Sequence, residues 1–452
     1  MPTESESRKA QIEIKRQRRL GWRSYTLLCI TVIILGALVA YGIWHSQSAA
    51  QLSREIEAIR QRDEPITLAD LAVGATGEGK QAFSILKRAE RSYSEIDERT
   101  GLSDELSKLS WNDDEQFDAY WSPEYTAAAE RFLREQEPTL KLAYQALANP
   151  QVDFPLVQFD GVGNTSFDGL TAYLFGADIP LRRKLHVAGF RGRTAEFIDT
   201  FEALFRLAES IEHHPDYHIL WARDGTLIGC VTILAKSLPR LQLTDEQFQR
   251  LDQAIQRAEQ QTRMLPAVWG ERVRRSAFFA KLASGEQQVE DEYGDRFSWR
   301  ETWMLRVEPQ LLECHAMSLR FHAEVADLID TPGPQATESL IALRREIDAL
   351  PDKHTFLGID IAHWEFVRRE GLLTRQQLIN ARIALRIDRS FREKREFPEA
   401  LRDAVDANMQ EIPLGLFTGS AAVYTYDDGH FEIGDNNHQA KLRVDYAAEQ
   451  PR

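Results

Sequence analysis

Four histidines are the residues of this chain best suited to bind a metal ion. His315 and His322 lie seven residues apart on one predicted helix, a spacing that can place two ligands on one face. His354 and His363 follow later in the chain, and His363 stands in an Asp-x-x-His pattern with Asp360. There is no His-Glu-x-x-His sequence, so a zinc hydrolase of that class has no support. We treat the four histidines as candidate metal ligands and predict no cofactor.

Motifs for nucleophilic catalysis are missing from the sequence. No serine lies in a Gly-x-Ser-x-Gly pattern, and no cysteine has a partner histidine nearby in sequence. Carboxylates are abundant, but abundance does not identify the acid–base pair that glycoside hydrolysis needs. We therefore predict no catalytic residues and favour a protein that is not an enzyme.

One stretch combines arginines with aromatic side chains in an unusual density. Its members are Arg272, Arg274, Arg275, Arg296, Arg300, Trp269, Phe278, Phe279, Phe297, Trp299 and Trp303. Such a set could bind a sugar acid, a phosphate head group or the acidic face of a partner. It could also be arginines stacked on aromatic rings at the edge of a helical core, and we favour this second interpretation.

An apolar segment near the N-terminus predicts where the protein resides. Residues 25–44 contain no charged side chain and would form a helix of about 30 Å, roughly the thickness of a bilayer's hydrocarbon core. Residues 1–24 carry seven basic and three acidic side chains, which predicts a cytoplasmic N-terminus. We expect a single-pass signal anchor in the cytoplasmic (inner) membrane. A cleaved signal peptide is the alternative, because the small residues Ser48, Ala49 and Ala50 follow.

The rest of the chain is acidic. Beyond residue 45 it holds 48 basic and 67 acidic residues, a net charge of about −19. Nucleic acids and anionic lipids need a positive face, so we predict no nucleic-acid partner. Cys230 and Cys314 would lie outside the cell membrane, where a disulfide can form, although two separately buried thiols are favoured.

Hydrophobic periodicity predicts a mostly α fold after the membrane segment: a helical bundle or irregular α-α stack with a small C-terminal β-hairpin. The helix expected at residues 217–237 is apolar over much of its circumference and should be central. Residues 99–121 are expected to be irregular, and residues 355–371 and 373–394 to be separate helices. The predicted divisions are a cytoplasmic basic tail (1–24), the transmembrane helix (25–44), an extracytoplasmic helical domain (45–371), a C-terminal helix with hairpin (372–436) and a flexible tail (437–452).

The C-terminal region resembles a known pattern. Its residues are 381–385 (Ala-Arg-Ile-Ala-Leu), 397–401 (Phe-Pro-Glu-Ala-Leu), 412–419 (Ile-Pro-Leu-Gly-Leu-Phe-Thr-Gly) and 424–431. With the anchor and residues 64–67, the chain resembles a broad group of uncharacterised, membrane-anchored, mostly helical bacterial proteins. Their tails are similar to the C-terminal region of type II secretion pseudopilins.

The resemblance implies a calcium site in the tail, but the sequence departs from the pattern there. Gly415 and Leu416 stand where Asp and Pro are expected, which removes an oxygen ligand. Asp427, Asp428 and Asp435 remain as candidate calcium ligands.

Three functions are compatible with these observations. We favour a membrane-anchored, cell-envelope protein that binds or scaffolds a partner, through the anchor at residues 25–44 and an envelope protein partner. The alternative is an extracytoplasmic hydrolase whose site is assembled from distant carboxylates and histidines. A binder of small apolar ligands would need an apolar internal cavity.

Overall fold

The computed structural model is mostly helical and ends in a small β-sheet. It describes residues 4–71, 77–110, 121–149, 152–154, 168–284, 307–350, 361–404, 415–416, 422–427, 429–434 and 441–446. The first helices are α1 (Glu4–Arg60), α2 (Leu68–Leu71), α3 (Gly77–Thr100), α4 (Leu102–Ser110), α5 (Pro123–Glu135), α6 (Glu137–Leu147) and α7 (Asp168–Tyr173). After a π-turn at Leu174–Asp178 come α8 (Ile179–Phe190), α9 (Thr194–Glu209), α10 (Tyr217–Ser237), α11 (Asp245–Gln261) and α12 (Leu265–Ser284). The last elements are α13 (Glu308–Leu328), α14 (Pro334–Asp348), α15 (Ile361–Lys394), α16 (Leu401–Ala404), β1 (Val423–Asp427), β2 (His430–Gly434) and β3 (Leu442–Asp445).

Helix α1 has two halves with different surroundings. Its apolar half leaves side chains such as Leu27, Leu28 and Ile33 more than half exposed. The segment Tyr25–Arg60 is long and apolar enough to cross a membrane, with a mean hydropathy of 2.5 over its best window. This helix is a candidate membrane span by length and composition.

The polar half of α1 lies parallel to α13. At one end Trp44 Nε1 donates to Glu313 Oε1 at 2.6 Å, and His45 lies 3.3 Å from Glu308. Further along, Ile59 packs in a small cluster with Leu319 of α13. Leu52 and Ile56 pack against the same cluster, so this side of α1 faces the body of the protein. We call residues 44–62 the stem.

The stem ends at Asp63, whose φ of 54° turns the chain out of the helix. The next residues are held by Arg272 of α12, a fully buried side chain. Its guanidinium donates to the Pro65 carbonyl at 2.9 Å and to Glu64 at 2.5 Å. A buried arginine is tolerated when its ion pair and hydrogen bonds are formed, whereas removal of one partner leaves an uncompensated buried charge.

The main core forms around α9, α10 and α11. Phe197, Phe201 and Phe205 follow one another along α9 with stacked rings, and all three are buried. The central helix predicted at 217–237 matches α10, which is buried on several sides. A capping box at Thr244 begins α11, because the Thr244 hydroxyl accepts from Gln247 N–H while Gln247 returns a bond to Thr244 N–H.

A proline sets the local geometry where α7 passes into α8. Pro180 has no N–H, so the helix cannot place an ordinary i→i−4 bond on the Gly176 carbonyl. The backbone widens there into the π-turn, and Ile179 N–H reaches the Leu174 carbonyl instead. A residue of the turn, Asp178, is carried fully into the core as a result.

Helix α8 ends in a motif that only its glycine permits. Gly192 has a φ of +65°, a left-handed conformation that other residues rarely adopt. Arg193 N–H bonds the Ala188 carbonyl and Gly192 N–H bonds the Gly189 carbonyl, which is the Schellman pattern. The chain turns at this point into α9.

A second core lies between α12, α13, α14 and the first part of α15. Trp364 and Val367 of α15 belong to it, whereas Leu378 and Ile383 belong to the main core. The two helices predicted at 355–371 and 373–394 are one continuous helix from residue 361 onward. Its first part packs in the second core and its later part packs in the main core. Residues 355–360 lie outside the described part of the chain.

The C-terminal sheet has three antiparallel strands in the order β1-β2-β3, so the predicted hairpin is one strand too small. The prediction of a flexible tail at 437–452 is wrong for Leu442–Asp445, which form β3. Leu442 and Val444 are buried in the main core, and the Tyr446 hydroxyl donates to the buried Asp388 of α15. Alternating apolar residues on a four-residue strand were too short a signal to separate from a loop.

Two smaller predictions, one for residues 99–121 and one for the two cysteines, can be compared with the structure. Residues 99–121 were expected to be irregular, but residues 102–110 form α4, and Leu106 is buried against α5. Cys230 and Cys314 are buried thiols that are not joined in a disulfide. The favoured interpretation of separate thiols is confirmed.

The buried arginine predicts how the stem is held. Arg272→Met should lower the free energy of unfolding by roughly 3 kcal/mol, because Glu64 and the Pro65 carbonyl lose their partner. Arg62→Gln removes the exposed pair with Asp327 and should cost less than about 1 kcal/mol. Chemical denaturation measures both. Equal effects would contradict the assigned role of Arg272.

Candidate functional site: a cationic cleft beside helix α8

A cleft of about 470 Å³ opens between α4, α5, α8 and α10. Its wall combines long cationic side chains with apolar and aromatic groups. The lining residues are Leu106, Ser107, Trp121, Tyr125, Ile179, Arg182, Arg183, His186, Gly225, Ile228, Gly229, Thr232, Ile233 and Lys236. A volume in this range fits a small organic ligand.

Two glycines on α10 leave the space open. A Cβ at Gly225 would meet no atom within 4 Å, and one at Gly229 would meet only the Arg182 side chain, at 3.2 Å. The two positions are one turn apart and therefore lie on the same face of the helix. Larger residues there would fill the cleft rather than the core.

Helices α8 and α10 run parallel along the cleft. Asp178, just before α8, is opposite Thr226, and Arg182 is opposite Gly229. Two turns further, a Cβ at Gly189 would collide with the Ser237 hydroxyl, so the helices are in close contact there. This common register fixes the order of the lining side chains along the cleft.

The cleft is positive although the protein is acidic. Arg182, Arg183 and Lys236 line it, and no aspartate or glutamate is among the lining residues that the structure describes. The Arg183 guanidinium lies 4.1 Å above the Phe132 ring and donates to the Ser103 hydroxyl at 3.3 Å. This stacking restricts the rotamers of Arg183 and so lowers the entropy cost of binding an anion.

A buried polar network supports Arg182 from below. Its Nη2 atom lies 2.6 Å from Asp178 Oδ2, and Asp178 Oδ1 accepts a hydrogen bond from the Thr226 hydroxyl at 2.8 Å. The Tyr173 hydroxyl donates to Thr226 Oγ1 at 3.0 Å. Burial raises the pKa of Asp178 above its ordinary value, and the charge of Arg182 opposes that rise. The arginine therefore has a counter-ion that is shielded from water.

His186 forms the aromatic end of the cleft. Its ring contacts Trp121 at 4.9 Å and Tyr125 at 5.1 Å between centroids, both edge to face. Burial, assisted by the charge of Arg240, lowers the pKa of His186 to about 4, so the ring is neutral at pH 7. Its Nε2 atom is buried and has no hydrogen-bond partner among the described residues. Buried polar atoms are nearly always hydrogen-bonded, so this nitrogen needs a partner that the described residues do not supply.

The histidines predicted as metal ligands occupy separate environments. His315 Nε2 lies 3.0 Å from the Ser276 hydroxyl, and His322 Nδ1 lies 2.8 Å from the Ser318 carbonyl one turn earlier on α13. His363 packs edge to face on Tyr217, and His354 lies outside the described residues. Within the described ranges no group of three or more potential ligands could hold a metal ion. The four-histidine site remains a prediction without support from the geometry.

The Ser276–His315 pair has the spacing of a nucleophile and its base. Burial alone lowers the pKa of His315 to about 4, and no charged group contributes to that shift. A catalytic triad also needs a carboxylate that orients the imidazole. Among the described residues the His315 ring stacks on Phe279, and the Ser276–His315 contact joins α12 to α13.

The arginines of the predicted arginine–aromatic stretch bind acidic groups within the fold. Arg274 and Arg275 donate to Glu271, at 2.5 and 2.8 Å. Burial acts to raise the pKa of Glu271, but the two arginines outweigh it and hold that pKa at about 2. Five other members, Arg296, Phe297, Trp299, Arg300 and Trp303, lie outside the described residues.

The cleft could not be recognised from the sequence, because its residues come from four separate segments. The available signals were the Gly-x-x-x-Gly pattern at 225–229 in an apolar helix and the pair Arg182-Arg183. Neither indicates a site alone, since helical glycines often serve close packing. The unpaired nitrogen of His186 becomes visible only in three dimensions.

Comparisons of the chain with protein-family models, with curated proteins and with solved structures find no match. The pseudopilin-like tail therefore stays a prediction. At its point of departure, Leu416 N–H donates to the buried Gln376 side chain, which ties this segment to α15. Of the candidate calcium ligands, Asp427 lies on β1, whereas Asp428 and Asp435 lie outside the described residues.

The buried His186 predicts a pH dependence of stability. The folded state keeps the ring neutral down to about pH 4, while the unfolded chain takes up a proton near pH 6.5. The stability that the neutral His186 ring contributes is complete above pH 6.5 and is lost as the pH falls towards 4. His186→Gln should flatten the unfolding free energy over this range by up to about 1.4 kcal/mol per pH unit. Urea titrations at several pH values measure it, and the exposed His213→Gln is the control. Parallel curves for wild type and His186→Gln would contradict the assignment.

Proposed function

We propose that this protein is a membrane-anchored binding protein that holds a small anionic ligand in the cleft beside α8. The observation that carries the proposal is the combination of three cationic side chains with the unpaired Nε2 of His186 in one cleft. Guanidinium and ammonium groups offer charge-assisted bonds, and the neutral imidazole offers a donor or an acceptor. The cationic lining favours an anion over the purely apolar ligand considered above.

We further propose that residues 25–44 hold the protein in the cytoplasmic membrane with its N-terminus in the cytoplasm. The apolar half of α1 and its basic N-terminal flank support this orientation. The stem then fixes the body directly at the outer membrane surface, since Trp44 and His45 already contact α13. Trp44 is also suited to the headgroup layer by its amphipathic ring.

The anchor is tested by extraction. Membranes that contain the full chain should retain the protein in alkaline carbonate and release it into mild detergent, because the apolar half of α1 has no burial partner within the chain's described residues. A chain that begins after residue 44 should fractionate as soluble. Release of the full chain by carbonate would contradict the anchor.

Ligand binding is tested by filling the cleft. Full-length protein in detergent is titrated calorimetrically with citrate, phosphate, acetate and medium-chain carboxylates. We expect binding that weakens as salt is raised, because the cations of the cleft contribute to it. Gly225→Leu should abolish binding, since its side chain would occupy the space that Gly225 leaves open.

The Gly225→Leu variant should fold well, because leucine favours a helix interior over glycine by about 0.8 kcal/mol. Gly77→Leu is the matched control, a helical glycine that also has open space around it but lies on α3, away from the cleft. It should bind as wild type does. Absence of binding by every anion, or equal binding by Gly225→Leu, would overturn the proposed function.

A further inference from the structure

A second cleft, of about 820 Å³, lies between α11 and α15 and shares no described lining residue with the cleft beside α8. Ion pairs join its two walls at two places. Arg382 Nε lies 3.0 Å from Asp252 Oδ1, and Arg389 Nη2 lies 3.1 Å from Asp245 Oδ1. The paired residues follow opposite orders along the two helices, so α11 and α15 are antiparallel here. The walls of the second cleft are therefore held in a defined register.

Ser390 of α15 lines this second cleft with an unused hydroxyl. The residue is only 9% exposed, and its Oγ atom has no hydrogen-bond partner among the described residues. The buried Thr374 of the same helix behaves differently, because its hydroxyl donates to the Glu370 carbonyl four residues earlier, at 3.0 Å. Buried hydroxyls are nearly always hydrogen-bonded, so Ser390 needs a partner that the described part of the chain does not provide.

Arg386 lies one turn before Ser390, on the same face of α15. Its Nη2 atom is 3.6 Å from Asp252 Oδ2, which is too far for a hydrogen bond. Its Nη1 atom is buried and finds no hydrogen-bond partner within the described ranges. Arg386 and Ser390 thus place two unpaired polar groups next to each other in the wall of one cleft.

The charges around the second cleft are nearly balanced. Its described lining residues include five carboxylates and four arginine or lysine side chains, a difference of −1. Three glutamines, Gln249, Gln253 and Gln256, line it as well. An anion would meet the carboxylates and a cation would meet the basic groups, and such like-charge contacts are costly. The lining therefore favours a ligand that is polar and carries no net charge.

Hydroxyl groups match this lining best. A guanidinium only donates hydrogen bonds and an ionised carboxylate only accepts them, whereas a hydroxyl does both. Neighbouring hydroxyls of one ligand can accept from Arg386 and exchange a bond with Ser390, and the same hydroxyls can donate to a carboxylate of the lining. The glutamine amides also supply a donor and an acceptor each.

We infer that the second cleft binds a neutral saccharide, whose hydroxyls pair with Arg386 Nη1 and Ser390 Oγ. Saccharides carry several adjacent hydroxyls and no charge, and the volume of the cleft is in the range of small-ligand sites. This site is separate from the anion-binding cleft beside α8, so the protein would hold two ligands of different chemistry.

The experiment titrates saccharides calorimetrically into the full-length protein. The detergent is a polyoxyethylene ether, because a maltoside would itself offer a sugar head group. The probes are maltose, cellobiose, lactose, trehalose and di-N-acetylchitobiose. We expect at least one to bind, with an affinity that does not change with salt, since the ligand is neutral.

Two variants locate the site. Ser390→Ala should weaken saccharide binding about fivefold and Arg386→Gln at least about tenfold, as expected for the loss of one neutral and one charge-assisted hydrogen bond. Ser390→Ala should also fold well, because alanine is the better helix former. The matched controls are Ser284→Ala, an exposed serine at the end of α12, and Arg369→Gln, an exposed arginine of α15 that pairs with Glu370. Both should bind the saccharide as wild type does.

Citrate separates this site from the cleft beside α8. Saturating citrate should leave the saccharide affinity unchanged, because a trivalent anion is disfavoured by the carboxylates of the second cleft. Displacement of the saccharide by citrate would overturn the neutral ligand. Absence of binding by every saccharide, or equal binding by wild type, Ser390→Ala and Arg386→Gln, would overturn the site itself. Citrate binding to the same preparation would then still support the anion-binding cleft.

Discussion

The fold around the cleft depends on one constraint, the need to neutralise a carboxylate in the protein interior. Asp178 is fully buried, and a buried charge is tolerated only with a counter-ion and hydrogen bonds. Arg182 and Thr226 provide these, and they come from two different helices. The pairing therefore fixes α8 and α10 side by side in a parallel register. Asp178 is the last residue of the π-turn that precedes Pro180, so this local widening of the helix lies beside the buried pair.

The protein separates two electrostatic environments. Its exterior is acidic, with a net charge of −15 for the chain, while the cleft lining is positive. Solvent and salt screen exposed charges beyond roughly 8 Å, so the acidic exterior does not cancel the cations within the cleft. An extended polyanion would meet the acidic surface before it met the cleft. A small anion, the ligand class proposed above, would not face that barrier, so ligand size would contribute to selectivity.

The sequence predicted the elements whose signals are local. The apolar circumference of residues 217–237 identifies a helix from neighbouring residues, and the structure contains that helix as α10. It did not predict β3, whose stability comes from Leu442 and Val444 entering a core built by distant helices. The continuity of α15 was missed for the same reason, because its two halves face different cores. The cleft is a tertiary property throughout, since the spacing of Arg182, His186 and Lys236 depends on the register of two helices.

Helix α1 is continuous from Glu4 to Arg60, a length of about 85 Å, and the stem is clamped to α13 over its final turns. A domain that is tethered to a bilayer by a flexible linker can occupy many heights and orientations above the membrane surface. If residues 25–44 span a bilayer, as we propose, this continuous helix removes that freedom. The body would translate in the membrane plane and rotate about the helix axis, while its height and tilt would follow the helix. The mouth of the cleft would then stay at one distance from the lipid surface.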